Sequence, residues 1–243
     1  MKIIGVIPSR YQSSRFPGKP LADICGKPMV WWVYQQCLKV PQLDEVWVAT
    51  DDQRIINVCQ KYDIKVKMTD SSHQTGTDRL CEVAEYIDAD YYVNIQGDEP
   101  LIEPSTIQIL IQAMKQNKEY MVFNTMTTIE NSDDLASDTV VKVAAADSGR
   151  LLYLSRSKIP YPKKGQEYPY YKHMGLYGMS KQAVDFFRIH PRGKIENAED
   201  IEMFRFLENG QAIKILEVTS QTIAVDRPED IEKIERQMSI LGK

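Results

Sequence analysis

The sequence predicts an α/β protein, a three-layer α/β/α sandwich built on a mostly parallel sheet. In the first half of the chain, apolar runs of strand length alternate with segments of helical periodicity, which is the pattern of βαβ units. Hydrophobic residues make up 43% and charged residues 26% of the 243 residues, so a packed core is expected. Because no linker-like stretch interrupts the chain, we expect one continuous domain, 1–243, in which residues 121–195 form an inserted β-rich lobe.

The elements of the first half follow from this alternation. The predicted strands are short apolar runs at Lys2–Pro8, Glu45–Thr50, Lys65–Thr69 and Tyr91–Gln96. The predicted helices lie between and after them at Met29–Val40, Gln53–Tyr62, Arg79–Ile87 and Ser105–Asn117. Pro104 directly precedes the last helix, and proline is favoured at helix starts.

The second half is less regular and predicts added antiparallel strands. These strands are expected at Met121–Thr128, Thr139–Ala145, Leu151–Ser155 and His173–Met179. Further extended segments are predicted at Lys214–Thr219 and Thr222–Val225, and helices at Lys181–Arg188, Glu199–Glu208 and Glu229–Leu241. Asn209-Gly210 predicts the end of the second helix, whereas Asp226 as a cap and Pro228 predict the start of the third.

Charge and cysteine content exclude several classes of protein. The net charge of −4 argues against nucleic acid as the main partner, because duplex-binding domains carry a basic excess. The four cysteines are far apart and form no Cys-x-x-Cys pair, which argues against zinc and against a disulfide scaffold. The apolar run Ile3–Ile7 is too short for a signal sequence or a membrane span, so we expect a cytoplasmic protein without a membrane partner.

A basic loop directly follows the first predicted strand. It runs from Pro8 to Leu21 and carries Arg10, Arg15 and Lys19 among small side chains such as Ser13. Ligands of open α/β sheets bind at the carboxyl ends of the strands, so the loop can wrap a polyphosphate whose charge the cations neutralise. No Walker A or Gly-x-Gly-x-x-Gly motif is present, which argues against P-loop enzymes and Rossmann dehydrogenases. A solvated basic surface loop is the alternative interpretation.

Two acids follow apolar runs and predict a magnesium site. The segment Tyr91–Pro100 ends in a glycine and two acids, of which Asp98 is the better candidate, and Asp226 follows Ala224-Val225. Carboxylates at strand ends opposite a phosphate loop suit Mg²⁺ that bridges to phosphate oxygens. The alternative roles are a turn acid for Asp98 and a helix cap for Asp226.

Two further segments carry polar groups. His73–Arg79 is a polar turn that can offer hydroxyl, backbone and cationic groups to a base or ribose. In His173–Tyr177, strand alternation places His173 and Tyr177 on one face. A structural histidine with satisfied hydrogen bonds is the alternative for His173.

Taken together, these segments resemble the 3-deoxy-manno-octulosonate (Kdo) cytidylyltransferases over essentially the whole chain. The segment from Arg10 to Leu21 is similar to the Arg-Tyr-x-Ser-x-Arg-x-Pro-Gly-Lys-Pro-Leu signature of that family. The other matching segments occur in the same order as in the family: His73–Arg79, Gln96–Pro100, Lys142 in Val-Lys-Val, Ser155–Pro160, His173–Tyr177 and Val225–Asp230.

The resemblance implies a Rossmann-like nucleotidyltransferase fold, a homodimer, and a Mg²⁺-dependent reaction of CTP with an acidic sugar for surface polysaccharide or lipopolysaccharide synthesis. The implied catalytic residues are Arg10, Arg15, Lys19 and Asp98, and the implied metal ligands are Asp98 and Asp226. The implied nucleotide-binding residues are Pro8, Arg10, Ser13, Lys19, Thr75, Gly76, Thr77, Arg79 and Gln96. The implied acceptor-binding residues are Arg156, His173, Tyr177, Glu202 and Met203, with Lys172 as an alternative to Arg156 for the carboxylate.

One departure from the family pattern leaves the acceptor open. The Glu-Gln-Leu-Arg segment of the family reads Glu202-Met203-Phe204-Arg205 here, and a thioether cannot donate the hydrogen bond that the glutamine amide donates. The alternatives are therefore the same chemistry on 8-amino-Kdo, another ulosonic acid or a phosphonate. A nucleotide-binding protein without turnover and a sugar-binding or scaffold protein are the other classes.

Overall fold

The computed structural model of the protein describes residues 1–13, 15–164, 166–219 and 223–240. Contacts divide the chain into two compact units, Met1–Gln108 with Gln221–Lys243 and Ile109–Ser220. The first unit is built on parallel strands and the second on parallel and antiparallel strands, each with packed helices, and the predicted α/β fold class is confirmed. The single domain with a lobe at 121–195 stays a prediction.

The first unit is built on four parallel strands. They are β1 (Ile3–Pro8), β4 (Glu45–Thr50), β5 (Val66–Met68) and β6 (Tyr91–Ile95). β1 lies between β6 and β4, and β5 pairs with the other side of β4. The first five residues of β1 are buried, as expected for a parallel strand covered on both faces.

Helices and two short strands complete this unit. The helices are α1 (Met29–Leu38), α2 (Gln53–Lys61), α3 (Gly76–Tyr86), α4 (Pro104–Gln116), which runs on into the second unit, and α9 (Asp230–Ile240). A 3₁₀ turn, Lys19–Leu21, precedes the antiparallel pair β2 (Asp23–Ile24) and β3 (Lys27–Pro28). α3 begins three residues before the predicted Arg79, because Thr75 and Asp78 form a capping box.

The second unit contains both parallel and antiparallel pairs. Its strands are β7 (Val122–Thr128), β8 (Lys142–Ala145), β9 (Leu151–Ser155), β10 (Tyr171–Ser180) and β11 (Ile213–Glu217). β7 pairs with β11 in parallel and with β10 in antiparallel orientation. β8 pairs antiparallel with β9 and β10, so the predicted antiparallel strands are confirmed.

The helices of the second unit correct one prediction. They are α5 (Ser132–Ala136), α6 (Lys181–Ile189), α7 (Lys194–Glu199) and α8 (Phe204–Leu207). The continuous helix predicted at Glu199–Glu208 is wrong, because α7 ends at Glu199 and its C-cap residue, Asp200, adopts the left-handed conformation with φ of 51°. Gly210, with φ of 75°, follows α8 as predicted.

Two predictions near the C-terminus also differ from the structure. Thr222, the start of the predicted strand Thr222–Val225, lies outside the described residues, and residues 223–225 form no strand. The last helix starts at Asp230 and is described to Ile240, while Leu241 lies outside the described residues. Across the described ranges, no helix has the length and apolar character that a membrane crossing requires.

Candidate active site

The basic loop after β1 is closed into a ring by a backbone hydrogen bond. The N–H of Gly18 donates to the carbonyl of Tyr11 at 2.8 Å. Gly18 has φ of 73°, and a Cβ there would lie 3.1 Å from the Tyr11 ring, so a glycine is required at this closure. The loop therefore presents Arg10 and Arg15 to solvent and leads Lys19 directly into the 3₁₀ turn.

An arginine at the start of α2 supports the ring. The guanidinium of Arg54 lies 3.3 Å from the centroid of the Tyr11 ring, which is a close cation–π contact. Asp52 holds the same guanidinium through two hydrogen bonds of 2.9 and 2.7 Å. These three residues were not singled out from the sequence, because no local pattern connects Tyr11 with a helix start about 40 residues later.

The two predicted metal ligands lie close together in the first unit. The backbone N–H of Val225 donates to the carbonyl of Asp98 at 2.9 Å, which brings Asp226 to the end of β6. The Lys19 ammonium lies 2.6 Å from Asp98 Oδ2 and 2.9 Å from the carbonyl oxygen of Val225. Arg15 pairs with Asp226 at 3.1 Å. Two loop cations thus form one charged cluster with Asp98, which follows β6, and with Asp226, which follows no strand among the described residues.

Gly97 allows the loop to approach the end of β6. A Cβ at this position would lie 2.8 Å from the carbonyl oxygen of Pro8 and 3.0 Å from Ser9 Oγ. Any side chain would therefore push the loop away from Asp98 and Gln96. The start of α3 lies at the same edge, because a Cβ at Gly76 would lie 3.3 Å from the Pro8 ring.

The donor set of this cluster fits a magnesium ion. Asp98, Asp226 and the Val225 carbonyl can supply oxygen ligands. Among the described residues, no three acidic, histidine or cysteine side chains are grouped so that they could hold a metal ion by themselves. Mg²⁺ commonly takes one or two carboxylates and completes its shell with phosphate oxygens and water. The position between Asp98 and Val225 already accommodates a positive charge, that of Lys19.

The remaining nucleotide-binding candidates have structural partners. Arg79 is buried and donates to Asp51 Oδ2 at 2.7 Å and to Thr69 Oγ1 at 2.9 Å. Thr77 is buried and accepts a hydrogen bond from Asn94, whereas the Thr75 side chain caps α3. Ser13 Oγ accepts from the Phe16 N–H, and Gln96 is half-buried. Their roles in nucleotide binding stay predictions.

The second unit contains the histidine and tyrosine that were predicted to share a strand face. A register shift lies between Met174 and Tyr177, yet the rings of His173 and Tyr177 are 5.5 Å apart. His173 Nε2 is buried and has no hydrogen-bond partner in the part of the chain that the structure describes. Burial lowers the pKa of His173 from 6.5 to about 4, so the imidazole is neutral near pH 7.

Arg156 is held by backbone carbonyls. Its Nε donates to the Glu199 carbonyl at 2.7 Å, and its Nη1 donates to that of Asp138 at 2.9 Å. A neutral carbonyl does not compensate the positive charge of the guanidinium, whereas a carboxylate partner does. Lys172, the alternative carboxylate ligand, instead pairs with the Asp134 carboxylate at 3.0 Å. This difference favours Arg156 over Lys172 as the predicted ligand of the acceptor's carboxylate.

The residue that departs from the family pattern is packed inside the second unit. Met203 is fully buried immediately before α8, and Glu202 next to it is half-buried. Arg205, two residues after Met203, forms a buried ion pair with Glu196.

Comparison with known proteins gives the family. A family model described as "Cytidylyltransferase" matches residues 4–215 of this chain. The chain belongs to the cytidylyltransferase family. The predicted nucleotidyltransferase activity is confirmed by this membership.

The relatives of this cytidylyltransferase include enzymes for two acceptors. It is 40% identical to the 3-deoxy-manno-octulosonate cytidylyltransferase of Escherichia coli, over 98% of this chain and 96% of that protein. It is also 40% identical to the 8-amino-3,8-dideoxy-manno-octulosonate cytidylyltransferase of Shewanella sp. (strain W3-18-1), over 98% of this chain and 99% of that protein. The resemblance predicted from the motifs is confirmed.

A solved structure of the family has the same fold. It is a CMP:2-keto-3-deoxy-manno-octonic acid synthetase complexed with CTP, and it is similar to this cytidylyltransferase with a TM-score of 0.94 and 40% sequence identity. The match covers 99% of this chain and all of that chain. The fold of this cytidylyltransferase is therefore that of a CMP-Kdo synthetase.

The sequence did not predict the surroundings of one further polar residue, Lys142. The lysine is fully buried in β8, and its ammonium donates to the carbonyls of Val140 at 2.9 Å and Arg156 at 2.7 Å. Burial lowers the pKa of Lys142. Its position inside the apolar run Val-Lys-Val was the available signal. Lys142 thus fixes the backbone that carries Arg156 in this cytidylyltransferase.

The pKa of His173 predicts a pH effect on stability. Between pH 4 and 6.5 the unfolded chain binds a proton that the folded chain does not, so His173 makes the free energy of unfolding rise with pH in this window. His173→Phe removes the titration and keeps an aromatic ring beside Tyr177. We expect a shallower rise for this variant in urea unfolding at several pH values. Equal slopes for the parent and the variant would contradict the lowered pKa.

Proposed function

We propose that this cytidylyltransferase couples CTP to a Kdo-like sugar acid and releases pyrophosphate. The proposal includes Mg²⁺ as the metal, a homodimer in the cytoplasm, and a role in surface polysaccharide or lipopolysaccharide synthesis. The observation that carries it is the cluster in which Lys19 and Arg15 meet Asp98 and Asp226 at 2.6 and 3.1 Å. This arrangement unites groups for a triphosphate with groups for its metal.

The reaction is an in-line displacement at the α-phosphorus of CTP. The anomeric oxygen of the acid forms the new P–O bond, the bond to the β-phosphate oxygen breaks, and pyrophosphate leaves. The cations Arg10, Arg15 and Lys19 neutralise the charge that builds up on the leaving pyrophosphate. Since the loop is closed into a ring, it needs little reorganisation during the reaction.

Asp98 and Asp226 would hold the magnesium ion. When bound, the ion would polarise the α-phosphate and lower the pKa of the attacking hydroxyl, whose proton would pass to solvent water, so the proposal names no separate general base. For the nucleoside we propose contacts from the start of α3, at Thr75, Gly76 and Thr77, and from Gln96. The Arg79 guanidinium donates hydrogen bonds to Asp51 and Thr69 and thereby fixes the start of α3.

For the sugar acid we propose Arg156, His173, Tyr177 and Glu202. Arg156 keeps its charge for the carboxylate, since its observed acceptors are carbonyls. Neutral His173 can donate or accept one hydrogen bond at Nε2, and Tyr177 offers a phenol beside it. Glu202 is the proposed acceptor for a sugar hydroxyl.

An acid other than Kdo is the second candidate substrate, and Met203 favours it. At the position of the family's glutamine, this buried thioether cannot donate a hydrogen bond to a sugar oxygen. One of the relatives acts on the 8-amino analogue of Kdo. A nucleotide-binding protein without turnover is the remaining alternative, and it predicts no pyrophosphate release with any sugar acid.

The acceptor is tested by Met203→Gln with Kdo and 8-amino-Kdo as substrates. If Met203 faces the acceptor, the glutamine should shift the kcat/KM ratio toward Kdo by about tenfold, the effect of one hydrogen bond in a site built around it. Met203→Leu, which keeps the burial and adds no donor, should leave the ratio unchanged. An unchanged ratio in Met203→Gln, in a variant that melts cooperatively, would place Met203 away from the acid.

A further inference from the structure

Two of the proposed phosphate-binding cations, Lys19 and Arg15, form ion pairs, and in both pairs the acid is a proposed metal ligand. Lys19 lies 2.6 Å from Asp98, and their side chains are 17% and 25% exposed. Arg15 lies 3.1 Å from Asp226, and these side chains are 51% and 45% exposed. The first pair is thus the better shielded from water and salt. The proposed function assigns other partners, phosphate oxygens for the cations and a metal ion for the acids.

The Lys19 ammonium occupies the oxygen atoms that a metal would use. It donates to Asp98 Oδ2 and also to the Val225 carbonyl at 2.9 Å. A divalent ion and an ammonium cannot share these lone pairs, because two cations at contact distance repel each other strongly in a partly buried site. A metal ion can therefore bind Asp98 through this oxygen only after Lys19 moves away.

A triphosphate removes the obstacle. Without a nucleotide, a displaced Lys19 loses a charge-assisted hydrogen bond and gains only water in return. With a nucleotide bound in the loop, phosphate oxygens accept the ammonium, and the Asp98 carboxylate is released for the metal. The exchange keeps every charge paired before and after binding.

We propose that Lys19 is a built-in competitor of the metal, which keeps divalent cations from Asp98 Oδ2 and the Val225 carbonyl until a triphosphate takes over the ammonium. Arg15 acts on Asp226 in the same sense and more weakly, because that pair is more exposed. The inference rests on the proposed function for the identity of the ligands. In thermodynamic terms, a bound nucleotide raises the affinity for the metal and a bound metal raises the affinity for the nucleotide, because Lys19 leaves Asp98.

The experiment measures Mn²⁺ binding without nucleotide, by the electron paramagnetic resonance signal of free Mn²⁺ at low ionic strength. Lys19→Met removes the competitor, and we expect Mn²⁺ to bind at least about tenfold more tightly than to the parent, a difference that one close charge pair can produce. Lys19→Arg keeps a cation near Asp98 and should bind Mn²⁺ as weakly as the parent.

A matched control separates this effect from a change in net charge. Lys27 belongs to the same N-terminal segment and lies over the rings of Trp31 and Tyr62 at 5.4 and 4.9 Å. Lys27→Met changes the charge equally and leaves the pair of Lys19 and Asp98 in place, so the expected change in Mn²⁺ affinity is less than about twofold. Adding Asp98→Asn to Lys19→Met should abolish the gained affinity, which locates the ion.

Two results would overturn the proposal. One is a folded Lys19→Met variant that binds Mn²⁺ no more tightly than the parent or Lys27→Met. The other is a gain that survives Asp98→Asn. Pyrophosphate release by the parent, with CTP and a panel of sugar acids, tests the proposed function separately. Turnover without the change in Mn²⁺ affinity would therefore refute the competition and leave the cytidylyltransferase reaction standing.

Discussion

Asp98→Asn is expected to lower kcat for pyrophosphate release by about 10²- to 10³-fold, the usual loss when a transition-state charge loses a fixed partner. The amide keeps the size of the carboxylate and can still accept a hydrogen bond from Lys19, so the loop and the end of β6 should stay in place. What is lost is the negative charge of a residue that we propose as a metal ligand.

The measurement is kcat at saturating CTP, acid and Mg²⁺, together with the melting temperature. Asp90→Asn is a matched control, because Asp90 flanks the other end of the same strand and its carboxylate accepts the Lys2 N–H at 2.6 Å. The control should turn over at close to the parental rate. Near-parental turnover by Asp98→Asn at the same metal concentration would make Asp98 a turn residue.

Arg205→Met is expected to destabilise the protein by about 3 kcal/mol, because it strands a buried carboxylate. Glu196 is fully buried, and Arg205 reaches it with two hydrogen bonds of 3.0 and 2.7 Å. The guanidinium also lies 3.7 Å from the Phe187 ring centroid. Arg192, 3.3 Å from the same carboxylate, compensates part of the charge, which sets the estimate at the lower end of the usual range for broken buried pairs.

Urea unfolding of the variants measures this effect. Glu196→Gln combined with Arg205→Met removes both charges and should recover a large part of the lost stability. Arg236→Met breaks an exposed pair with Glu232, whose side chains are 77% and 76% exposed, and should cost less than about 0.5 kcal/mol. Equal midpoints for Arg205→Met and Arg236→Met would contradict a structural role for the buried pair.

The parts of the fold that the sequence predicts well are those with local causes. The predicted strand Glu45–Thr50 coincides with β4, and Lys2–Pro8 differs from β1 by one residue, since continuous apolar runs mark strands buried on both faces. Pro104 marks the start of α4 as predicted. The basic loop and the two acids were also found, because each directly follows an apolar run.

The parts that the sequence does not predict depend on distant contacts. The break between α7 and α8 places Glu196 and Arg205 in one buried ion pair, whereas helical periodicity alone predicts a helix through Asp200. Likewise, Lys19 meets Asp98 across 79 positions of sequence and Val225 across 206. Motif order places both in a site but says nothing about which cation pairs with which acid.

The backbone closure between Tyr11 and Gly18 has a consequence for affinity. A flexible loop of this length would lose conformational entropy on binding, about 1 to 2 kcal/mol for each backbone residue that becomes fixed. Here the ring forms when the chain folds, and the Arg54 guanidinium stacked on Tyr11 holds it in place. For the triphosphate that we propose as the ligand, the order already present at Tyr11 and Gly18 need not be gained on binding, so a larger share of the attraction would remain as binding free energy.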